Sequence, residues 1–164
     1  MRVMNGYDQA KKEYLRTKVL TASPAELQLM LYDGAIRFAE EAKDRLEKKE
    51  FEAAHDAMVR AQNIVLELSS SLKHDIDPDL CGKMSSLYNF IYRKLVEGNL
   101  KHQPQAIQEA IMLLNYQRET WVMLMAKLAE ETQSARPATA AVSARPSRNR
   151  YTPPRRTIFT PPWG

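Results

Sequence analysis

The chain has 164 residues, a formal net charge of +4 and a single cysteine. This length fits one domain, and one cysteine excludes an intrachain disulfide, so a reducing compartment is expected. The first residues lack the apolar stretch of a secretory signal, and the longest apolar run, residues 121–126, is far shorter than the roughly 18 residues of a membrane span. We therefore expect a soluble protein of the cytosol with no membrane span.

Residues 1–22 are expected to form a loosely held N-terminal arm. Tyr7 and Tyr14 are compatible with a turn or two of helix. The β-branched residues between positions 17 and 21 favour extended backbone instead. We therefore predict extended backbone directly before the cap at residue 23.

The strongest local pattern begins at Ser23. Ser23 is a good N-cap, Pro24 suits the first helical position, and Glu26 completes a capping box three residues after the cap. Four residues then recur at helical spacing, namely Leu27, Met30, Leu31 and Gly34. The glycine is small enough for another helix to approach closely. The folded domain and its first helix are predicted to begin here, and the helix is predicted to end near residue 48.

Three further helices are predicted at about residues 51–72, 78–99 and 104–131, with Asp77 as a cap and Gly98 near a helix end. The expected inner positions are Leu27, Leu31, Ala35, Phe38, Ala42 and Leu46; Ala54, Met58, Ala61, Val65, Leu68 and Leu72; Leu80, Met84, Leu87, Ile91 and Leu95; and Ile107, Ala110, Leu114, Trp121, Leu124 and Leu128. Short connections make neighbouring helices antiparallel. We therefore expect an all-α fold, an antiparallel up-down four-helix bundle over residues 23–131.

The run from Leu20 to Gly34 also carries a family resemblance. Read together with Tyr7 and with the continuation over residues 35–38, it resembles the FliS family, the flagellin export chaperones. The matching residues that the resemblance places in structural roles are Thr21, Ser23, Pro24, Glu26, Leu27, Leu31 and Gly34.

The resemblance implies a function in flagellum assembly. In such proteins the bundle binds the disordered C-terminal segment of flagellin in the cytosol, the client wraps around it as short helices, and premature filament assembly is prevented. The resemblance further implies that the N-terminal arm covers part of the binding groove. It also implies that an aromatic residue, matched here by Tyr7, helps the chaperone dock at the flagellar export gate.

The third and fourth predicted helices carry more apolar residues than one core needs, which indicates a second buried surface. These residues fit a groove for amphipathic client helices, or else they complete a core or form a homodimer contact. The residues predicted to contact a partner are Tyr7, Val59, Leu66, Phe90, Met112, Tyr116 and Met123. For Tyr32 and Asp33 two interpretations stay open: they shape the client-binding surface, or they fix helix packing.

No catalytic or cofactor-binding constellation is found in the sequence. His55 and His74 each precede an aspartate but lack the further ligands of a metal-dependent phosphohydrolase. The acidic residues at 75, 77 and 79 lack the glycine and glutamate that a calcium loop needs. Glycine-rich phosphate loops are also missing. We therefore expect no enzyme activity, no metal and no cofactor.

Residues 132–164 differ in composition from the rest of the chain. They contain six arginines, six of the nine prolines and no Lys, Asp or Glu, which leaves −2 for the remainder (+4 minus +6). We expect this tail to be disordered and partly polyproline II, because it cannot bury a core. It is either an extension without a partner, a ligand for an aromatic-lined groove, or a tether to acidic lipid or nucleic acid.

The tail also supports an alternative function. In that hypothesis, the chain is a structural or regulatory helical bundle that self-associates through its surplus apolar surface and is recruited by the basic tail. Nucleic-acid binding by the whole protein is not expected, because the positive charge belongs to the tail rather than to the domain.

Overall fold

The structure is a computed structural model that describes residues 6–135, and this part of the chain is entirely helical outside its turns. The helices are α1 (Gly6–Thr21), α2 (Pro24–Glu47), α3 (Phe51–Ser70), α4 (Pro78–Lys101) and α5 (Pro104–Ser134). Helix α2 packs against α3 and α5, and α4 packs against the same two helices. We call the closed circuit of α2 to α5 the helix ring. The predicted all-α class is confirmed.

Helix α2 begins with the capping box that the sequence predicts. The Ser23 hydroxyl accepts a hydrogen bond from the Glu26 backbone N–H at 3.3 Å, and the Ser23 N–H donates to Glu26 Oε2 at 2.7 Å. The hydrogen bond from the Ser23 backbone lowers the pKa of the Glu26 carboxyl below its usual value. The backbone N–H groups of Ser23 and Glu26 are thereby each satisfied by the other residue's side chain.

Helix α1 corrects the prediction of extended backbone before residue 23. The helix continues without a break to Thr21. The hydroxyls of Thr17 and Thr21 donate to the carbonyls of Glu13 and Thr17, each four residues earlier, at 3.0 and 2.9 Å. This bonding lets threonine sit in a helix despite its low propensity. Every residue of α1 is exposed.

Helices α4 and α5 both end later than predicted. Helix α4 begins at the predicted cap, where Asp77 Oδ1 accepts from the Leu80 N–H at 3.0 Å. It passes Gly98 and ends at Lys101, and the cap residue His102 after it has a left-handed φ of 52°. Gly98 serves packing instead, because a Cβ built there would lie 2.5 Å from Ile107 Cγ1. Helix α5 continues to Ser134, so the first three residues of the predicted tail are helical. Ala135 caps this helix, and residues 136–164 of the tail lie outside the described residues.

The core lies inside the helix ring. Its largest fully buried side chains are Tyr32, Met58, Val65, Leu68, Tyr88, Ile91, Leu95, Ile107 and Leu114. The first five inner positions predicted for α3 are all buried, whereas Leu27, Leu31, Phe38, Met84, Leu87 and Trp121 are only partly buried. The prediction is wrong for Leu80, Leu124 and Leu128, which are 56%, 43% and 53% exposed.

The exposure of Leu124 and Leu128 follows from where α2 starts. Contacts between the two helices run in opposite order: Lys43 Nζ donates to Gln108 Oε1 at 2.8 Å, and Trp121 Nε1 donates to the Ala25 carbonyl at 3.0 Å. Since Ala25 is already in the first turn of α2, residues 122–134 of α5 continue past the end of the helix that would cover them. We call these residues the α5 overhang.

The turn between α2 and α3 contains a residue whose replacement is expected to stabilise the protein. Lys49 has a left-handed φ of 59°, a conformation that costs an ordinary side chain about 1 kcal/mol but costs glycine little. Lys49→Gly is therefore expected to raise the free energy of unfolding by about 0.5 to 1 kcal/mol, measured by urea denaturation. The control is Lys48→Gly, because Lys48 has an ordinary φ of −81° and should lose stability. Equal effects at both positions would contradict the prediction.

Candidate partner-binding surface

Three apolar side chains lie on one exposed face of α5. Met112, Tyr116 and Met123 are 63%, 66% and 65% exposed. Their spacing of four and seven residues places them within about 40° of one another around the helix. Leu114, on the other side of α5, is fully buried. We call these three residues the α5 outer stripe, and exposed apolar groups of this kind are typical of partner-binding surfaces.

A further exposed apolar residue, Phe90, lies on the neighbouring helix α4. Its ring is 47% exposed, and the Lys94 ammonium lies 5.6 Å from the ring centre. The same ammonium lies 2.7 Å from Glu109 Oε2 on α5, and this hydrogen bond is the main cause that raises the pKa of Lys94. Phe90 therefore lies near the side of α4 that faces α5, the helix that carries the stripe.

The predicted contacts on α3 lie on another side of the helix ring. Leu66 is 48% exposed and Val59 is half-buried, and their spacing of seven residues puts them on one face. His55, one turn before Val59, contacts Asn99 of α4, with 2.9 Å between His55 Nδ1 and Asn99 Nδ2. Val59 and Leu66 therefore lie on the face of α3 that borders α4. They are separated from Phe90, which lies on the side of α4 towards α5.

Tyr7 lies in α1 and is 76% exposed. Because no residue of α1 is buried, α1 does not seal an apolar face against the helix ring in this structure. A cleft where α1 meets α2 is lined by Lys18, Thr21, Ala22, Glu26, Leu29, Met30 and Asp33. The implied covering of the groove by the arm stays a prediction.

Tyr32 is a packing residue. Its side chain is 2% exposed, and its hydroxyl lies 2.6 Å from the hydroxyl of Tyr88, which is 1% exposed. Burial raises the pKa of the Tyr88 phenol far above its usual value. Sequence reasoning missed Tyr88, although its position one turn after Met84 would have placed it on the inner face.

Asp33, the other undecided residue, is exposed and pairs with Arg118 across α2 and α5. Because both groups are in contact with solvent, the ion pair contributes little to stability. The carboxylate nevertheless fixes the position of Arg118 two residues after Tyr116 of the stripe. Asp33 therefore lies at the surface, whereas Tyr32 is buried.

The buried tyrosine pair is expected to behave as one unit. Tyr32→Phe or Tyr88→Phe leaves the other hydroxyl buried without a partner, so each variant should lose about 1 to 2 kcal/mol of unfolding free energy. The double variant Tyr32→Phe/Tyr88→Phe leaves no unpaired hydroxyl and should lose less than the sum of the two. A double-mutant cycle from chemical denaturation measures this coupling, and strictly additive losses would contradict it.

Two kinds of site are not found in residues 6–135. None of the helices there is long and apolar enough to span a membrane. Within the same range, no three or more His, Cys, Asp or Glu side chains are grouped closely enough to hold a metal ion.

Known proteins resemble this chain in sequence and in fold. The model of the family described as flagellar protein FliS matches residues 6–128. The flagellar secretion chaperone FliS of Bacillus subtilis is 33% identical over 108 residues, which cover 66% of this chain and 80% of that protein. The protein of the same description from Salmonella typhimurium is 32% identical over 114 residues, which cover 69% of this chain and 84% of that protein.

The fold similarity extends to a solved structure. A crystal structure of a flagellar chaperone from bacteria matches this structure with a TM-score of 0.60 and 18% sequence identity, covering 73% of this chain and 97% of that one. At this level of identity the match concerns the fold alone.

Proposed function

We propose, from the premise that this chain belongs to the FliS family of flagellar proteins, that it is a flagellar secretion chaperone whose client is flagellin. It binds the C-terminal segment of flagellin in the cytosol, prevents premature polymerisation, and delivers the client to the flagellar export apparatus. The relatives named as flagellar secretion chaperones support this role. The role requires no catalysis and no cofactor.

The observation that carries the proposal is the α5 outer stripe. Amphipathic helices bind to grooves through apolar anchors at helical spacing, and Met112, Tyr116 and Met123 offer such a row in an exposed position. Methionine side chains are flexible and polarisable, so they adapt to different client helices. Phe90 lies near α5, next to Lys94, which pairs with Glu109 of that helix. In this proposal it adds a further apolar contact for the client.

The proposal includes the arrangement of the ring. We take α2 to α5 to be an antiparallel up-down four-helix bundle, as predicted. The opposite order of contacts along α2 and α5 supports this arrangement, and so do the short connections between successive helices. A bundle of this kind presents a groove along every pair of adjacent helices, which suits a client that wraps around it.

The proposal also gives a role to Tyr7 and accounts for the disorder of the client segment. The exposed ring of Tyr7 is proposed to contact a component of the export gate, because it lies on α1, outside the helix ring. A disordered client segment loses conformational entropy when it folds on binding. The chaperone therefore needs a preformed apolar surface, which the stripe provides.

Isothermal titration calorimetry with two forms of flagellin tests the proposal. Full-length flagellin should bind with a dissociation constant in the nanomolar-to-micromolar range, and flagellin without its C-terminal segment should not bind. Circular dichroism of the complex should show more helix than the sum of its parts, because the segment folds on binding. Equal affinity for both forms would reject the proposal.

The same stripe favours a second candidate, a homodimer of a structural or regulatory bundle. Three apolar side chains on one exposed helix face are self-complementary in a two-fold contact. Static light scattering of the full chain distinguishes the two functions. A tight dimer that dissociates when Tyr116 is replaced, together with no binding of flagellin, would favour the second candidate.

A further inference from the structure

One glutamate lies within the exposed apolar face of α5. Glu119 comes three residues after Tyr116 and four residues before Met123, so it falls on the same side of the helix as the α5 outer stripe. Its side chain is exposed. A helix that packs on the stripe therefore has to cover a carboxylate as well as the apolar groups.

Within residues 6–135, no basic side chain forms an ion pair with Glu119. The positions one turn away on α5 hold the uncharged residues Asn115, Tyr116, Val122 and Met123. The neighbouring Arg118 pairs with Asp33 of α2 instead, and Lys127, the next basic residue along α5, is eight residues or about 12 Å away along the helix. The ring therefore leaves this carboxylate without a cation of its own.

A neighbouring part of the same surface does hold a cation. The Lys94 ammonium lies 5.6 Å from the centre of the Phe90 ring and 2.7 Å from Glu109 Oε2. An aromatic face and a carboxylate both attract positive charge, so together they form a site for an ammonium or guanidinium group. Tyr116 and Glu119 bring the same two kinds of group to one face of α5, three residues apart.

Packing a helix on the stripe changes the surroundings of Glu119. The carboxylate is exposed, and a partner that contacts Met112 and Met123 on either side of it excludes water from it. A carboxylate that loses water without gaining a partner is strongly unfavourable, whereas one that meets a lysine or arginine is not. The covering helix therefore binds best when it supplies the cation.

We propose that the α5 outer stripe takes an amphipathic helix that carries a lysine or arginine between its apolar anchors, and that Glu119 and Tyr116 bind this cation. The inference rests on the proposed function, because it names the kind of client helix that the stripe selects. A second copy of this chain fits the stripe less well, since it brings another glutamate to the interface instead of a cation. An anionic lipid surface is disfavoured by the same carboxylate.

Three designed peptides test the inference with the full chain. The peptides are helical, share leucine anchors at spacings of four and seven residues, and differ only at one position between the anchors, which is arginine, glutamine or glutamate. In isothermal titration calorimetry the arginine peptide should bind about tenfold more tightly than the glutamine peptide, and the glutamate peptide should bind most weakly. Equal affinities, or no binding of any of the three, would overturn the inference.

Variants at position 119 assign this preference to one carboxylate. Glu119→Gln should remove the preference for arginine over glutamine, and Glu119→Lys should reverse the order so that the glutamate peptide binds most tightly. The matched control is Glu67→Lys, which makes the same charge change at an exposed residue of α3 and should leave the order unchanged. The same reversal in the control would indicate an effect of net charge rather than a contact, and would also overturn the inference.

The flagellin C-terminal segment separates this inference from the proposed function. Glu119→Lys should weaken binding of the segment about tenfold, whereas Glu67→Lys should change it less than twofold. If the segment binds the unchanged chain and Glu119→Lys equally well, the inference is wrong and the proposed function stands. If the unchanged chain does not bind the segment, the proposed function fails, and the order of the three peptides still measures whether Glu119 selects a cation.

Discussion

Replacing the three residues of the α5 outer stripe by serine is expected to weaken binding of the flagellin C-terminal segment at least a hundredfold. Anchors at the centre of an interface often contribute about 1 to 2 kcal/mol each when truncated, and three such losses together exceed the roughly 2.8 kcal/mol of a hundredfold change. The fold should be preserved, because Met112, Tyr116 and Met123 are each more than 60% exposed. Isothermal titration calorimetry measures the affinity, and circular dichroism checks the fold.

The matched control is a triple serine variant at exposed apolar residues outside the stripe. Ile76, Leu80 and Leu100 are 74%, 56% and 75% exposed, and their replacement should change the affinity less than threefold. If the stripe variant binds normally while Val59→Ser/Leu66→Ser loses affinity, the client site lies beside α3 instead. Both groups were predicted from the sequence as contacts, and this pair of variants decides between them.

Gly98→Ala is expected to lower the free energy of unfolding by about 2 kcal/mol, because overpacked cores typically lose 1 to 3 kcal/mol. The new Cβ would lie 2.5 Å from Ile107 Cγ1 and 3.2 Å from the Gln103 carbonyl oxygen. The isoleucine is fully buried, and the carbonyl belongs to the backbone, so neither neighbour can move freely. Helix α4 and the start of α5 would have to separate. Chemical denaturation measures the loss.

Gly82→Ala in the same helix is the control for this prediction. A Cβ at Gly82 meets no atom within 4 Å, so alanine there should stabilise the helix by about 0.5 to 1 kcal/mol. A cycle with Ile107→Ala adds a second check, since removing the clashing side chain should make Gly98→Ala less costly. A stabilising Gly98→Ala, or strict additivity with Ile107→Ala, would contradict the packing argument.

The starts of the helices were predictable because the signals that begin a helix are local. Ser23 with Glu26 and Asp77 with Leu80 satisfy backbone groups within three residues, so no knowledge of the tertiary fold is needed. The buried face of α3 was predictable for a related reason. Its inner residues are spaced regularly, and α3 is covered along most of its length.

The ends of α4 and α5 could not be predicted in the same way. Gly98 looks like a helix end in sequence, but the close approach of Ile107 requires a glycine at that position. The periodic leucines of the α5 overhang look like core residues, but α2 begins too late to cover Leu124 and Leu128. Periodicity describes one helix, whereas burial depends on the length of its neighbour.

The candidate site was predictable in its residue types but not in its grouping. Surplus apolar residues indicated exposure at Met112, Tyr116 and Met123, and each is exposed. The sequence did not separate the α3 residues from the α5 residues, because that depends on which helices are adjacent. It also left Tyr32 undecided, since its partner Tyr88 lies 56 residues away.

The Tyr32–Tyr88 hydrogen bond joins two helices that lie across the ring from each other. Each of α2 and α4 packs against α3 and α5, so α2 and α4 face each other across the core of the ring. The hydrogen bond of 2.6 Å between the two hydroxyls connects these two helices directly through the core. A change that weakens this bond in the core is therefore expected to alter how α2 and α4 are held relative to each other without changing any exposed residue.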